Sequence, residues 1–259
     1  METTVTGTLA DLPDEGYVFR TSWPLSSGDI DRYEKLSVDG MARYLQECGA
    51  QHLVDCGAFE THKFWIVRRT VIDVIRPIEW PDTVRLSRWC AGISPRWCNM
   101  RVRMTSDGVD GREGGLIETE GFWINMNMET GAPSRLEDKF FELLATTTDE
   151  RRLRWKAWLN DPVDAQTEQP FPLRLGDTDR LDHVNNAVYL QAMREVFPQI
   201  PEVIDGPYRL VIEYNKPITY GEDVRIATAP TEGGILVWMT VDGEARTHAS
   251  ITALPGTGQ

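Results

Sequence analysis

The sequence predicts an α+β protein in which two tandem units each wrap a curved antiparallel sheet around one central helix. Three observations support this fold class. Short segments of the first half recur in the same order in the second half, each half contains one amphipathic helical pattern, and strand patterns follow that helix. A repeat changes how every local pattern is interpreted, so it is considered first.

The repeated segments are short but collinear. The matching pairs are GDIDR (28–32) with GDTDR (176–180), ARYLQ (42–46) with AVYLQ (187–191), and residues 76–86 with residues 216–226. Chance explains any one of these matches, whereas three in the same order indicate that the chain arose by duplication.

The second half reads as a strand, a helix and then a meander of strands. Alternating Phe171, Leu173 and Leu175 predict the opening strand. Two rows with a spacing of four residues predict a helix with one buried face. The rows are Val188, Ala192 and Val196, and Tyr189, Met193 and Phe197. Further strands are predicted at 208–214, 224–229, 235–241 and 245–253, with glycine-containing turns between the last three.

The first half repeats this order. An apolar stripe of Met41, Leu45, Cys48 and His52 predicts its helix, and His52 is accordingly expected to be structural. A strand, one long helix and a meander of strands is the order of the hot-dog fold. One such unit leaves a sheet edge and a helix face poorly covered, so the two units are expected to pair as a double hot-dog.

The repeat also predicts the division of the chain. The predicted parts are an N-terminal tail (1–16), a first hot-dog unit (17–128), a connector (129–170), a second unit (171–254) and a C-terminal tail (255–259). In the connector, Ser134 and Glu137 predict a capping box that opens a helix through Phe140 and Leu144.

Composition limits the possible partners. A net charge of -13 disfavours nucleic acid and anionic membrane surfaces, because both require clustered cations. No apolar run is long enough to cross a bilayer and residues 1–16 do not read as a secretory signal, so a cytoplasmic location is expected. The cysteines match neither a zinc site nor a CxxC motif, and we expect free thiols and no metal or other cofactor. They are Cys48, Cys56, Cys90 and Cys98.

The loop at residues 177–186 of the second half, DTDRLDHVNN, is the predicted active site. It places three carboxylates, a histidine and two amides directly before a helix N-terminus, where unpaired N–H groups suit a carbonyl oxygen that develops negative charge. Asp179 is predicted to act as nucleophile or as a base for water, with His183 orienting the reactants or relaying a proton. Helix capping is the alternative interpretation of Asn185 and Asn186.

Two further acidic residues, Asp31 and Glu213, also bear on the predicted active site. The first copy of the loop keeps Asp31 but is followed by RYEKLSVDG (32–40), without histidine or asparagine, so only the second copy is predicted to be active. Glu213 lies opposite the face of its strand that carries Leu210 and Ile212. It is either an ordinary outward charge or a second carboxylate that faces the site.

These motifs resemble those of the acyl-acyl carrier protein (acyl-ACP) thioesterases, tandem hot-dog enzymes that release fatty acids from the carrier protein. The resemblance spans roughly residues 17–254. It rests on HVNN (183–186) followed by Tyr189, EY (213–214), WIVRR (65–69) followed by WPD (80–82), and FWINMN (122–127). Plant members have asparagine where Leu181 stands and Glu-Cys where Pro217 and Ile218 stand, and the second half contains no cysteine nucleophile.

The resemblance implies hydrolysis of fatty acyl-ACP to free fatty acid and ACP in fatty acid biosynthesis. It implies catalytic roles for Asp179, His183 and Glu213, and substrate contacts for Asn185, Asn186, Tyr189, Phe64 and Trp65. An acyl-CoA thioesterase with the same site and a non-catalytic acyl-thioester-binding protein stay open as alternatives, and the chain is expected to be a monomer or a homodimer.

Two stretches of the first half and the connector have both a functional and an ordinary interpretation. Phe64 and Trp65 either line an acyl slot or are plain core. The basic stretch at residues 151–156 is either a docking surface for the acidic carrier protein or a solvated face.

Overall fold

The computed structural model describes residues 9–254, which form one antiparallel sheet curved around two central helices. This is the α+β double hot-dog architecture that the duplication predicts. Residues 1–8 of the predicted N-terminal tail and all of the predicted C-terminal tail, 255–259, lie outside the described residues. The described end of the N-terminal tail contacts the outer face of the sheet, where Ala10 O accepts a hydrogen bond from Arg101 Nε.

The elements follow the predicted order in both units. The strands are β1 (Phe19–Pro24), β2 (Trp65–Arg76), β3 (Thr83–Ser94), β4 (Trp97–Thr105), β5 (Leu116–Asn125), β6 (Thr167–Pro170), β7 (Tyr208–Tyr214), β8 (Val224–Thr231), β9 (Gly234–Val241) and β10 (Glu244–Ala253). The helices are α1 (Val38–Asp55), α2 (Asp138–Leu144), α3 (Asn186–Arg194) and the single turn α4 (Pro201–Ile204).

The sheet joins the two units without a break. Across the described residues its strand order is β1-β3-β4-β5-β2-β7-β10-β9-β8-β6. Each strand of the first unit has its counterpart at the mirrored position in the second, so a pseudo-twofold axis passes between β2 and β7. These two strands pair antiparallel, from Arg69 opposite Glu213 to Val74 opposite Tyr208. The central pairing therefore removes an exposed edge from each unit.

The two central helices lie on the concave side of the sheet. Ser37 caps α1 by accepting a hydrogen bond from Gly40 N, and Asn185 caps α3 by accepting one from Ala187 N. The helices pack against each other, and their apolar faces fill the largest core cluster. Burial of this apolar surface is the main contribution that holds both helices in place.

The opening strand of the second unit lies earlier than predicted. β6 ends at Pro170 and pairs with β8, whereas the predicted strand began at Phe171. Arg174 N donates to Asp177 Oδ2 and Asp177 N donates to Arg174 O, and these bonds close a 3-10 turn that leaves Leu175 72% exposed. The alternation of Phe171 and Leu173 thus reflects packing of a loop against the core, not a strand.

The two other differences concern helix ends. α3 stops at Arg194 and a 3-10 turn containing Pro198 follows, because proline disfavours a continued α-helix before it. α2 begins at Asp138, not at the predicted capping box: its cap Glu137 makes no side-chain cap bond and donates its N–H to His62 Nε2. The buried faces of both helices are as predicted.

The connector covers both sides of the sheet of the first unit. α2 packs on the concave side near the end of α1, and the chain then crosses to the outer face. The outer face holds three buried arginine–carboxylate pairs. They are Arg69–Glu213 at 3.0 Å, Arg209–Asp73 at 2.6 Å and Arg101–Glu118 at 2.7 Å. The connector covers the first of them through Lys156 O, Trp158 N and Leu159 N.

The cysteines are free, with Cys48, Cys90 and Cys98 buried and Cys56 half-buried. Burial raises the pKa of the Cys48 thiol to about 11. Among residues 9–254, no helix combines the length and the apolar character that crossing a membrane requires.

Candidate active site

One cavity of about 540 Å³ connects the predicted loop of the second unit with the interior of the first. Its loop side is formed by Asp179, Arg180, Leu181, Asn185 and Asn186. Its apolar walls come from Leu45, Ala50, Leu53, Phe64, Trp65, Met100, Trp123, Phe140 and Leu144. A cavity of this size, mostly apolar with a few polar groups at one end, is typical of a small-molecule site.

The carboxylate of Asp179 is held by the backbone of its own loop. Oδ1 accepts hydrogen bonds from Leu181 N at 2.8 Å and His183 N at 3.3 Å, and Asp179 N donates to His183 O at 2.7 Å. The turn needs a positive φ of 58° at Asp182, which aspartate tolerates. Among residues 9–254, no group donates to Oδ2, so this oxygen can act on the contents of the cavity.

The first unit contains the same loop without the same site. Asp31 Oδ1 accepts from Tyr33 N at 2.8 Å and Lys35 N at 3.0 Å, and Glu34 has a φ of 62°. The loop shape therefore requires the aspartate but not the histidine that replaces Lys35 in the second copy.

The start of α1 is occupied by ion pairs, whereas the start of α3 borders the cavity. Arg43 binds Asp29 at 2.5 Å and Asp39 at 2.9 Å, and Arg194 reaches across from α3 to Asp39 at 2.6 Å. Residues of the first loop do not line the cavity of about 540 Å³ that borders the second loop.

Asn185 is oriented by a residue of the first unit. Its Oδ1 accepts from Ala187 N and from Gln46 Nε2, both at 2.9 Å, and its Nδ2 is a donor without a partner among residues 9–254. Gln46 also lines the cavity, although it is not among the site residues that the sequence predicts. Its place in the repeated ARYLQ segment was an available signal. The backbone N–H of Asn186, at the first position of α3, has no intrahelical partner.

Phe64 and Trp65 line the cavity, and two cations lie beside them. Arg180 donates from Nη2 to Lys63 O at 3.2 Å, and its guanidinium lies 5.0 Å from the centre of the Phe64 ring. Lys63 lines the cavity as well. This end of the cavity is thus richer in positive charge than the chain as a whole.

His183 and Tyr189 lie next to the site but outside the cavity wall. His183 forms a backbone bridge with Thr219, and its side chain is half-buried. Tyr189 is buried: its hydroxyl accepts from Ile218 N at 3.1 Å, and its ring meets Tyr214 edge-on at 5.3 Å. Burial raises the pKa of Tyr189 to about 12. Its observed contacts hold the loop in place and do not reach the cavity.

Glu213 lies on the opposite face of the sheet from the cavity. It pairs with Arg69 and accepts hydrogen bonds from Trp158 N at 2.9 Å and Leu159 N at 3.2 Å. Alternation along β7 causes this, because Leu210 and Ile212 point into the core. Of the two sequence interpretations, the geometry supports an outward charge, buried here by the connector. It does not support the predicted catalytic position.

Within the described part of the chain, no group of three or more histidine, cysteine or acidic side chains is arranged to hold a metal ion. The polar groups of the cavity are one carboxylate, three amides, one imidazole and three cations. Together with a backbone donor at a helix start, they suit acid–base chemistry at a carbonyl carbon.

Comparison with known proteins identifies related chains. Residues 16–144 match the model of the acyl-ACP thioesterase N-terminal domain, and residues 160–253 match that of the C-terminal domain. An uncharacterized protein of Mycobacterium tuberculosis H37Rv is 45% identical over 246 residues, covering 95% of this chain and 96% of that protein.

Two other similar proteins are more distant in sequence. Oleoyl-acyl carrier protein thioesterase 1 of Arabidopsis thaliana, a chloroplastic protein, is 25% identical over 219 residues, which cover 76% of this chain and 59% of that protein. The crystal structure of an acyl-ACP thioesterase from Bacteroides thetaiotaomicron superposes with a TM-score of 0.73 at 15% identity, covering 91% of this chain and 97% of that one. This similarity establishes a shared fold.

Proposed function

Because the chain belongs to the acyl-ACP thioesterase family, we propose that it hydrolyses fatty acyl thioesters carried on an acyl carrier protein. The observation that carries the proposal is that one cavity joins Asp179 and the start of α3 to an apolar interior. Such a cavity can hold a thioester at its polar end and the hydrocarbon chain against its walls. A place in cytoplasmic fatty acid biosynthesis is part of the same proposal.

Asp179 is the proposed general base. Its Oδ2 takes a proton from a water molecule as the water oxygen bonds to the thioester carbon. The C–S bond then breaks, the sulfur receives the proton, and the products are a free fatty acid and the carrier thiol. The two N–H groups on Oδ1 keep the carboxylate in one orientation during these steps.

The start of α3 is the proposed site for the carbonyl oxygen. The N–H of Asn186 and the Nδ2 group of Asn185 are donors beside Asp179, and the helix dipole adds partial positive charge. A donor that is fixed before the reaction stabilises the developing oxyanion without a cost of reorganisation. Gln46 contributes by holding Asn185 in this orientation.

The proposed role of His183 belongs to its imidazole ring, not to its backbone. Lys35 makes the equivalent backbone hydrogen bond in the first copy, so the shape of the loop does not explain a histidine at this position. We assign the ring the transfer of a proton between Asp179 and solvent, a role suited to imidazole near neutral pH.

The carrier would approach the end of the cavity that holds Lys63 and Arg180. The stretch 151–154 runs beside the end of β3, where Leu153 N donates to Ile93 O and Leu153 O accepts from Ser94 and Trp97. This is the end of the sheet at which β2 begins with the cavity residue Trp65. An acidic carrier protein can meet both sets of cations on one side of the molecule.

Hydrolysis assays test the proposal. The full chain is incubated with acyl-ACP and with acyl-CoA over a range of chain lengths, and free fatty acid is measured. The proposal expects release from acyl-ACP with a higher kcat/KM than from acyl-CoA. A reversed preference favours the acyl-CoA thioesterase, and binding without release favours a non-catalytic acyl-thioester-binding protein.

A further inference from the structure

The cavity contains a guanidinium that no carboxylate of the described residues neutralises. Arg88 lies on the face of β3 that carries the buried Val84, and this face points toward α1. Its Nη1 lies 3.4 Å from where a Cβ at Gly49 would be, so the arginine packs closely on the helix. Among residues 9–254, its one hydrogen bond runs from Nε to His52 Nδ1 at 3.1 Å.

His52 does not compensate this charge. Burial, with a further contribution from the charge of Arg88, lowers the pKa of His52 to about 3, so the ring is neutral at pH 7. Since Nδ1 accepts the hydrogen bond from Arg88, the ring proton is on Nε2. This Nε2 is buried and has no hydrogen-bond partner in the described part of the chain. The ring is held by stacking on Phe19 at 5.4 Å.

Both residues line the cavity far from its loop end. Asn185 meets α1 at Gln46, and His52 is six residues further along, which corresponds to about 9 Å of helix. Arg88 also borders a second cavity of about 40 Å³, which shares Leu45 and Gln46 with the first and continues between the helices. An acyl chain that extends from Asp179 along α1 to the far end of the cavity therefore reaches Arg88.

We propose that Arg88, positioned by His52, is a subsite for an acyl chain that carries an oxygen acceptor away from its thioester, as a carboxylate, hydroxyl or keto oxygen. A plain hydrocarbon chain would pack methylene groups against an unpaired charge, which is unfavourable. An oxygen would accept from the free Nη1 and Nη2 groups, and a carboxylate can accept from both. The inference rests on the proposed function, because it assumes an acyl thioester in this cavity.

The experiment uses S-alkyl pantetheine thioethers, which cannot be hydrolysed and which share the arm common to carrier protein and coenzyme A. Three tails of equal length are compared at several lengths: plain alkyl, terminal hydroxyl and terminal carboxylate. Binding to the full chain is measured by calorimetry. At one or more lengths, an oxygen-bearing tail is expected to bind at least about tenfold more tightly than the plain tail, or about 1.4 kcal/mol.

Arg88→Met should remove this preference and bind the plain tail at least as well as the wild type does. Arg88→Lys keeps the charge and should keep part of the preference. Arg85→Met is the matched control, because Arg85 is on the same strand, pairs with Asp107 and does not line the cavity. It should bind every tail as the wild type does.

The subsite is rejected if the wild type binds the plain tail best at every length, if it binds none of the tails, or if folded Arg88→Met keeps the preference. These outcomes are separate from the test of hydrolysis. Thioether binding does not depend on turnover, so a wild type that binds oxygen-bearing tails but releases no fatty acid would contradict only the proposed function.

Discussion

Asp31 and Asp179 hold the same loop in the two halves of the chain by the same pair of backbone hydrogen bonds, but of the two only Asp179 lines the cavity of about 540 Å³. The comparison of these two aspartates distinguishes holding the turn from lining the cavity. An aspartate closes the turn in both loops, and in one of them it also lines the cavity.

Asp179→Asn should lower kcat/KM for acyl-ACP by about 10²–10⁴-fold, because the amide cannot accept a proton from water. Asparagine still accepts the two backbone hydrogen bonds, so the loop should keep its shape. Asp31→Asn is the matched control and should change kcat/KM less than about twofold in the same free-fatty-acid assay, since the change is remote from the cavity. Full activity in Asp179→Asn would exclude the proposed base.

Gln46→Ala should lower kcat by about 2- to 10-fold with little change in KM, because a neutral hydrogen bond contributes about 0.5–1.5 kcal/mol. Gln46→Glu should be worse, since a carboxylate repels Asn185 Oδ1 where the amide donated to it. Gln51→Ala, on the same helix but bonded to Thr21 and Glu47, should leave steady-state kinetics unchanged. If both Gln46 variants match the wild type, Gln46 does not position Asn185.

Glu213→Gln should reduce the free energy of unfolding by about 3–5 kcal/mol, because it leaves the charge of Arg69 buried without its partner. Urea denaturation measures this loss, and the folded fraction should keep its kcat. Replacing both residues, with Glu213→Leu and Arg69→Met together, should recover part of the stability. If a folded Glu213→Gln protein showed the same kinetic defect as Asp179→Asn, Glu213 would have a catalytic role after all.

Asp39 should contribute to stability at neutral pH and lose that contribution in acid. Burial alone raises its pKa, but hydrogen bonds and charge from Arg194 and Arg43 reverse the effect and bring the pKa below its ordinary value. A carboxylate with a lowered folded-state pKa stabilises the fold above the unfolded value of about 4, and this stabilisation disappears as pH falls through the folded pKa.

Asp39→Asn should therefore lower the free energy of unfolding at pH 7 by about 1–3 kcal/mol and flatten its decline below about pH 4. Urea denaturation across pH measures both effects. The control is Glu244→Gln, whose exposed partner Lys216 is screened by solvent, and its acid profile should follow the wild type. An unchanged profile for Asp39→Asn would mean that its ion pairs do not couple the two helices.

Reversing the charges of Arg151, Arg152 and Arg154 should lower kcat/KM for acyl-ACP about tenfold or more at low salt, because an acidic partner is steered by such cations. Turnover of a short acyl-pantetheine thioester should be unaffected, and the difference should shrink as salt rises. Equal effects on both substrates would show that this stretch does not dock the carrier.

The positions that the sequence predicts best are those where a local period decides the outcome. Alternation along β7 places Glu213 opposite Leu210, and the structure shows Glu213 on the face away from the core. The same pattern cannot tell whether an outward carboxylate is solvated or covered, because that depends on where the connector crosses. The stretch that covers Glu213 through Trp158 N has no periodic signal of its own.

The position of β6 differs from the predicted opening strand for a related reason. Its four residues, Thr167–Pro170, are all exposed at the edge of the sheet, so no apolar alternation marks them. The contact between Gln46 and Asn185 joins residues of different units and depends on how the two helices cross. From sequence alone, Arg88 likewise has the pattern of an ordinary charged residue on a strand. Its inward position depends on how the sheet bends over α1.

The central pairing of β2 with β7 has a consequence for how such an enzyme can diversify. The carboxylate and the helix start come from one half of the gene, while most of the wall against the acyl chain comes from the other half. Substitutions in the first half can therefore remodel which chains are accepted while the reactive groups stay untouched. Under the proposed function, the choice of acyl chain can therefore change without a change at the reacting end, whereas a symmetric pair of identical subunits would change both sites at once.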